Sequence, residues 1–163
     1  MDKYETTAKY NIAETCAASI SVEDLCSLDE EKRSPLSLST KLTYGAIRGS
    51  EKLRSNLARL YSSKGPSPLP PGNVLITNGA IAANFLLLYT LVGPGDHVIC
   101  HYPTYQQLYS VPKSLGADVS LWKAREENGW QLDVDELKSL MKRNTKLLII
   151  KYGNTLLSGW IAF

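Results

Sequence analysis

The sequence has little cysteine, and no spacing that would put it to structural use. Cys16, Cys26 and Cys100 are odd in number and form no CxxC pair, which argues against a disulfide framework and against a cysteine zinc site. Cys100 lies in an apolar strand pattern and reads as a small buried hydrophobe. Histidine is scarcer still. His97 and His101 fall on one face of a strand, and without a third ligand they read as non-metal. An excess of one charge is also missing. The 18 basic and 16 acidic residues are scattered, so the clustered basic face of a nucleic-acid binder is absent. The longest apolar run, "FLLLYTLV", has eight residues, far short of the ~20 that a membrane helix needs. "MDKYETTAKY" has no apolar run, which predicts no signal peptide. A reducing, cytoplasmic setting follows, with neither membrane nor nucleic acid as partner. Repeats, low-complexity tracts and the GxGxxG dinucleotide fingerprint are absent too.

What is present is alternation. Ser21 and Asp24 predict a capping box opening a short helix in the irregular first 40 residues. "GSEKLRSNLARLYSSKG" predicts a helix capped by Ser50 and closed by Gly65, with Leu53, Leu57, Leu60 and Tyr61 on one face. A proline-rich connector, "PSPLPPGN", cannot be helical. From residue 74 the chain predicts strand "VLIT", a helix over 80–91, a "GPGD" turn and strand "HVICH". A helical stretch over 104–115 with Pro112 inside it follows, then strand "ADVSLW". Asp133 caps the next helix, with Glu136 completing a capping box and Val134, Leu137, Leu140 and Met141 facing inward. "KLLIIKY" is the last strand. Glu126 and Glu127 precede Asn128-Gly129 and read as a solvated hairpin tip. Strands apolar on both faces, alternating with helices, predict a parallel sheet covered by helices.

In such a sheet ligands bind beyond the carboxyl ends of the strands. Thr77-Asn78-Gly79-Ala80 lies at one such end and opens a helix, whose free amides and dipole form an anion site. Tyr105 lies at the next strand end, its flat face suited to stacking on a ring. A flat ring carrying a phosphate is the ligand this pair would take. The rival readings are plain: a glycine here also serves simply as a turn, and a tyrosine after Pro-Thr as a surface or core aromatic.

Three stretches, "LTYGAIRGSEKLRSNLARLYS", "VLITNGAIAANFLLLYTLVGPGDHVICHYPTYQQL" and "LDVDELKSLMKRNTKLLII", taken in order and spacing, resemble the N-terminal part of fold-type-I pyridoxal-phosphate (PLP) enzymes. The resemblance is to the class I/II aminotransferases and the related aminocyclopropane-carboxylate synthases, and it covers about residues 42–150. It implies a partial aspartate-aminotransferase-like large domain, α/β, with a mostly parallel sheet and flanking helices. It also implies that Gly79, Ala80 and Ile81 hold the cofactor phosphate through backbone amides. Ile81 stands where the family often has a hydroxyl, which leaves only backbone donors there. Tyr105 matches the aromatic that stacks on the pyridine ring. Tyr44 matches the tyrosine that reaches the phosphate in the neighbouring subunit, which implies a homodimer. Residues 12–14 match, more loosely, the arm that closes over substrate.

The departures are equally specific. Beyond "KLLII" the chain reads "KYGNTLLSGWIAF". Asn154 or Thr155 falls near the family's cofactor-contacting asparagine, without the Pro-Thr-Gly that follows it there. The catalytic lysine has no counterpart, and Lys151 is not that lysine by position. The resemblance therefore divides the chain into an N-terminal arm over 1–40, a partial PLP-binding domain over 41–150 and a non-family tail over 151–163. The implied activity is amino-group transfer between an amino acid and a 2-oxo acid, with this chain an inactive fragment. The alternatives are a lyase of the aminocyclopropane-carboxylate-synthase type and a non-enzymatic α/β remnant.

Overall fold

A computed structural model describes residues 7–10 and 18–151. The chain divides into two compact units, Met1–Tyr44 and Gly45–Phe163. In the first, helix α1 (Val22–Ser27) opens on the expected capping box. Asp24 N–H donates to Ser21 Oγ, and Ser21 N–H donates back to the Asp24 carboxylate. The segment at residues 12–14, matched to the substrate arm, lies outside the described residues.

In the second unit, helix α2 (Glu51–Ser62) is capped by Ser50, whose hydroxyl accepts from Leu53 N–H. Its buried face is not the leucine stripe expected from periodicity. Leu53, Leu60 and Tyr61 are exposed, and Ala58 is buried. Of the expected stripe only Leu57 is half-buried, and so are Arg54 and Ser62, one helical turn either side of Ala58. Arg54 donates to the carbonyls of Gly49 and Pro71, and Leu69 N–H donates to Ser62 Oγ. The connector that follows α2 folds back as a 3-10 turn (Pro71–Asn73) whose orphan carbonyls need donors; Arg54 supplies one to Pro71 O and Arg48 one to Gly72 O, while Ser62 Oγ accepts the Leu69 amide.

"VLIT" is not a strand. Residues 74–77 carry no ladder, and Ile76 N–H donates to Arg48 O at 3.2 Å. A strand exists only by pairing. The strands flanking "HVICHY" keep open edges, and residues 74–77 pair with neither; Arg48 O takes the Ile76 amide instead. Asn154 and Thr155 lie outside the described residues.

The other expected elements form. Helix α3 (Gly79–Leu91) leads through a five-residue turn to β1 (His97–Tyr102). Helix α4 (Gln107–Ser114) follows, with buried Pro112 inside it, and then β2 (Asp118–Lys123). Helix α5 (Val134–Leu140) and β3 (Thr145–Ile149) complete the unit. The three strands are all parallel in the order β2-β1-β3. Centrality explains why His97 through Cys100 are buried. One face of β1 joins Val98 to Val92, Ala117, Val119, Leu147 and Ile149. On β2, Trp122 is fully buried, and its indole N–H donates to Asp133 O at the start of α5.

Helix α5 corrects two expectations. Asp133 caps it, accepting from the amides of Asp135 and Glu136. Glu136 does not close a capping box; its carboxylate takes both terminal nitrogens of Arg125, at 2.9 and 2.8 Å. A bidentate guanidinium outcompetes a single backbone amide for a carboxylate. Val134 and Met141 are exposed rather than inward-facing.

The amino ends of the strands are saturated with polar bonds. His97 Nδ1 pairs with Thr145 Oγ1 at 2.7 Å and Nε2 with Ser120 Oγ at 2.8 Å, so one imidazole ties the central strand to both neighbours. A register shift next to His97 sets Thr145 opposite it, and Lys146 reaches Asp96 at 3.0 Å. Lys142 pairs with Asp118, and Asn144 donates to Gly95 O.

Burial, then the nearby Lys142 charge, partly offset by Asp118, lowers the pKa of His97 below the ordinary histidine value of 6.5. His101 is lowered too, by burial, against a hydrogen bond to the Lys151 backbone. The unfolded chain thus binds these protons more readily than the folded one. The stability carried by the neutral rings is complete above pH ~6.5 and is lost as pH falls below it, by at most about 1.4 kcal/mol per pH unit per histidine. Denaturant midpoints measured from pH 7.5 to pH 5 are expected to fall, and to fall less in His97→Gln. Equal slopes in both proteins would remove His97 from the account.

Candidate functional site

Helix α3 packs against α4 and leads into β1. Its 13 residues rise ~20 Å at about 1.5 Å each, and the six residues of β1 span ~20 Å. With only residues 92–96 between them, the start of α3 lies level with the carboxyl end of β1, the end from which Tyr105 projects.

The entry to α3 is unusual in what it leaves open. Asn78 has φ −77° and ψ 75°, and Gly79 N–H donates to Thr77 O at 2.9 Å, an inverse γ-turn. Gly79 itself sits at φ +84°, where a side chain is strained, and a Cβ there would meet nothing within 4 Å. Asn is a strong capping residue, yet here its side chain caps nothing, and the first turn carries no acidic residue. With Gly79 N–H engaged, the amides of Ala80 and Ile81 remain as the helix's orphan donors. The expectation that three residues offer amides is thereby narrowed to two. Helices α1, α2 and α5 are each capped by a side chain, while α4, like α3, is not.

Tyr105 is about half exposed, and its carbonyl accepts from Leu108 N–H at 3.0 Å, which fixes its backbone to the first turn of α4. Gln107, two residues on, reaches across to α3. Its Nε2–H donates to Ile81 O at 2.8 Å, and its Oε1 accepts from Asn84 Nδ2 at 3.2 Å. The structure thus brings the glycine turn and the tyrosine together. Gln107 and Asn84 were not legible from sequence, since nothing local marks two amides 23 residues apart as partners. Tyr44, fully exposed, ends the first unit.

Two buried polar atoms at this end lack partners: His101 Nδ1 and Thr104 Oγ1. Cys100 beside them is inert, its thiol pushed up to about 11 by burial, as expected of a small hydrophobe. Among the described residues no His/Cys/Asp/Glu group could hold a metal. None of their helices is long and apolar enough to cross a membrane. The sheet is therefore asymmetric. Its amino end is knitted by side-chain bonds, while its carboxyl end keeps free amides, unpaired polar atoms and an exposed ring.

The fold is also that of solved aminotransferase structures. The architecture superposes on a PLP-dependent aminotransferase from Streptococcus suis 89-1591 with a TM-score of 0.60 and 51% identity, covering 67% of this chain and 28% of that one. Aspartate aminotransferase from Thermotoga maritima superposes with a TM-score of 0.61 at 26% identity, covering 66% of this chain and 29% of that one. The family model for aminotransferase class I and II matches residues 25–154, and the chain belongs to that family. Among curated relatives, aspartate aminotransferase from Sulfolobus acidocaldarius is 31% identical over 66% of this chain and 27% of its own length. Capreomycidine synthase from Streptomyces vinaceus is 32% identical over 66% of this chain and 26% of its own. The chain thus spans about a quarter of the length of these curated relatives.

Proposed function

We propose that this chain carries part of the cofactor domain of a PLP-dependent aminotransferase acting between an amino acid and a 2-oxo acid. The observation that carries the reading is the joint placement of the Gly79 turn and Tyr105 at the unsaturated end of the sheet. The residues fit the cofactor: a phosphate monoester needs clustered donors with no competing carboxylate, and the open space over Gly79 lets it approach the backbone. Ala80 and Ile81 N–H would donate to the phosphate, and Tyr105 would cover one face of the ring. PLP supplies the electron sink for breaking a bond at the amino acid's Cα. The chain's own residues hold its phosphate and ring and shield one ring face from water. Tyr44 reaches toward the phosphate of a neighbouring subunit in a homodimer, in the cytoplasm. In the same reading 1–40 is an arm, 41–150 the partial cofactor domain and 151–163 a tail outside the family pattern.

A second reading has one observation behind it. Capreomycidine synthase shares about the same segment at about the same identity as the aminotransferases do. The shared segment holds the cofactor and does not select the reaction, so a lyase or synthase of the aminocyclopropane-carboxylate type fits these residues equally.

The test is a titration with PLP followed by absorbance and fluorescence. Weak saturable binding is expected, and Tyr105→Ala should weaken it by roughly three- to tenfold, the worth of an aromatic stack. Tight binding insensitive to Tyr105 would show that the ring lies elsewhere.

A further inference from the structure

We propose that Gln107 is a positioning residue that sets the rotation and register of α3, and so holds the phosphate turn at the right distance from Tyr105. The proposal rests on the reading of this end of the sheet as a PLP site. Its starting point is a peculiarity of α3, "GAIAANFLLLYTL". The helix is apolar nearly all round, so hydrophobic burial gives it no preferred face. A helix without a face can turn about its own axis at little cost. Each residue of slippage rotates it by about 100°, which would swing the Ala80 and Ile81 amides away from the ring that Tyr105 holds.

Polar groups are what such a helix has to fix its setting. Thr90 spends its hydroxyl on Leu86 O within the helix itself. Asn84 turns to Gln107. Among the described residues, the hydrogen bonds that join α3 to α4 both run through the Gln107 side chain, one to Asn84 and one to Ile81 O. The second bond falls in the turn that offers the free amides. The Ile81 carbonyl faces along the helix to the Phe85 amide and takes Gln107 Nε2–H as a second donor. A polar pair specifying register among otherwise interchangeable apolar contacts is a known device of helix packing, and here the pair, Gln107 and Asn84, is half-buried. Because Gln107 lies two residues after Tyr105 on the same first turn, the link from ring to phosphate turn is short and stiff.

PLP is a two-point ligand. Its affinity depends on each subsite and on the spacing between them, as for any linked pair of binding groups. Gln107 touches neither subsite's ligand, so its loss should disturb only the spacing. The experiment compares three probes on the full chain: PLP, inorganic phosphate and pyridoxal without phosphate, by fluorescence and phosphorus NMR. Gln107→Leu, of similar shape but without polar atoms, is expected to weaken PLP by about five- to tenfold, the size of one or two net hydrogen bonds. Phosphate and pyridoxal should each change by less than ~2-fold, the signature of lost linkage. Gln107→Glu, which keeps the acceptor for Asn84 and loses the donor to Ile81 O, should fall between the two. PLP affinity unchanged in both variants overturns the proposal. So does a parallel loss of all three probes with a lowered denaturation midpoint, which marks a merely structural residue. A wild-type chain that binds no PLP overturns the cofactor reading itself and this inference with it.

Discussion

Replacing Gly49 with alanine is expected to destabilise the second unit by about 2–4 kcal/mol, combining a strained backbone with an overpacked contact. Gly49 has φ +91°, and a Cβ there would lie 2.5 Å from Ile76 Cβ and overlap Ile76 Cγ1. That neighbour is a branch point beside the backbone, so it cannot swing away as the tip of a long side chain would. Both sides of the contact are tied down. Gly49 N–H donates to Ala46 O, Arg54 holds Gly49 O, and Ile76 N–H donates to Arg48 O. Ile76 is followed at once by Thr77, Asn78 and Gly79, so relief of the clash moves the phosphate turn. A domain with ~5–15 kcal/mol of net stability feels such a loss as a large drop in denaturation midpoint. Gly45 is the control: a Cβ there meets nothing within 4 Å, and its φ is not in the left-handed region. Gly49→Ala and Gly45→Ala with the same midpoint would contradict the geometry.

The chain on its own is expected to self-associate through α3. Ile81, Phe85, Leu86, Leu87, Tyr89 and Leu91 are between 41% and 63% exposed, and only Leu88 of that helix is buried. Phe85 and Tyr89 stack on one another at 5.9 Å and present a continuous aromatic surface. A contiguous apolar patch of this kind is rarely left open by a monomer. At about 25 cal/mol per Å², a few hundred Å² covered on association is worth several kcal/mol. The double variant Phe85→Gln with Tyr89→Gln removes that surface without touching a buried side chain. Sedimentation should show association weakened on the order of a hundredfold. A monodisperse wild-type monomer with a sharp unfolding transition would sink the expectation and mark the unit as self-sufficient.

Local chemistry made much of this fold legible. Capping boxes and N-caps lie within three residues of their partners, so Ser21 with Asp24, Ser50 and Asp133 marked their helices correctly. Runs apolar on both faces marked β1, β2 and β3 as members of a parallel sheet, which they are, although only the central β1 is buried along most of its length. What failed were statements about the far side of a contact. The leucines of α2 have a helical period, but the partner of α2 is a proline-rich 3-10 turn. The Pro71 carbonyl needs a donor and the Leu69 amide an acceptor, rather than methyl groups, so Arg54 and Ser62 face the connector instead. "VLIT" has strand propensity, yet it pairs with neither open edge of the sheet, and Arg48 O takes the Ile76 amide. Glu136 sits at the capping-box position, yet Arg125 arrives from another element and takes it.

The site divides along the same line. The sequence by itself determined that a glycine opens a helix after residue 78 and that an aromatic follows the end of β1, because backbone freedom and chain order are local properties. It also determined that no cluster of like charge, no metal spacing and no membrane-length run competes with that reading. Only the tertiary structure decided that Asn78 leaves its helix uncapped, that Ala80 and Ile81 are the amides left over, and that these stand beside Tyr105. That last placement depends on Gln107 finding Ile81 O across 26 residues of chain. A contact of that separation depends on how α3 and α4 pack, and no pattern in either segment alone encodes it, because α3, apolar on nearly every side, carries no preferred face.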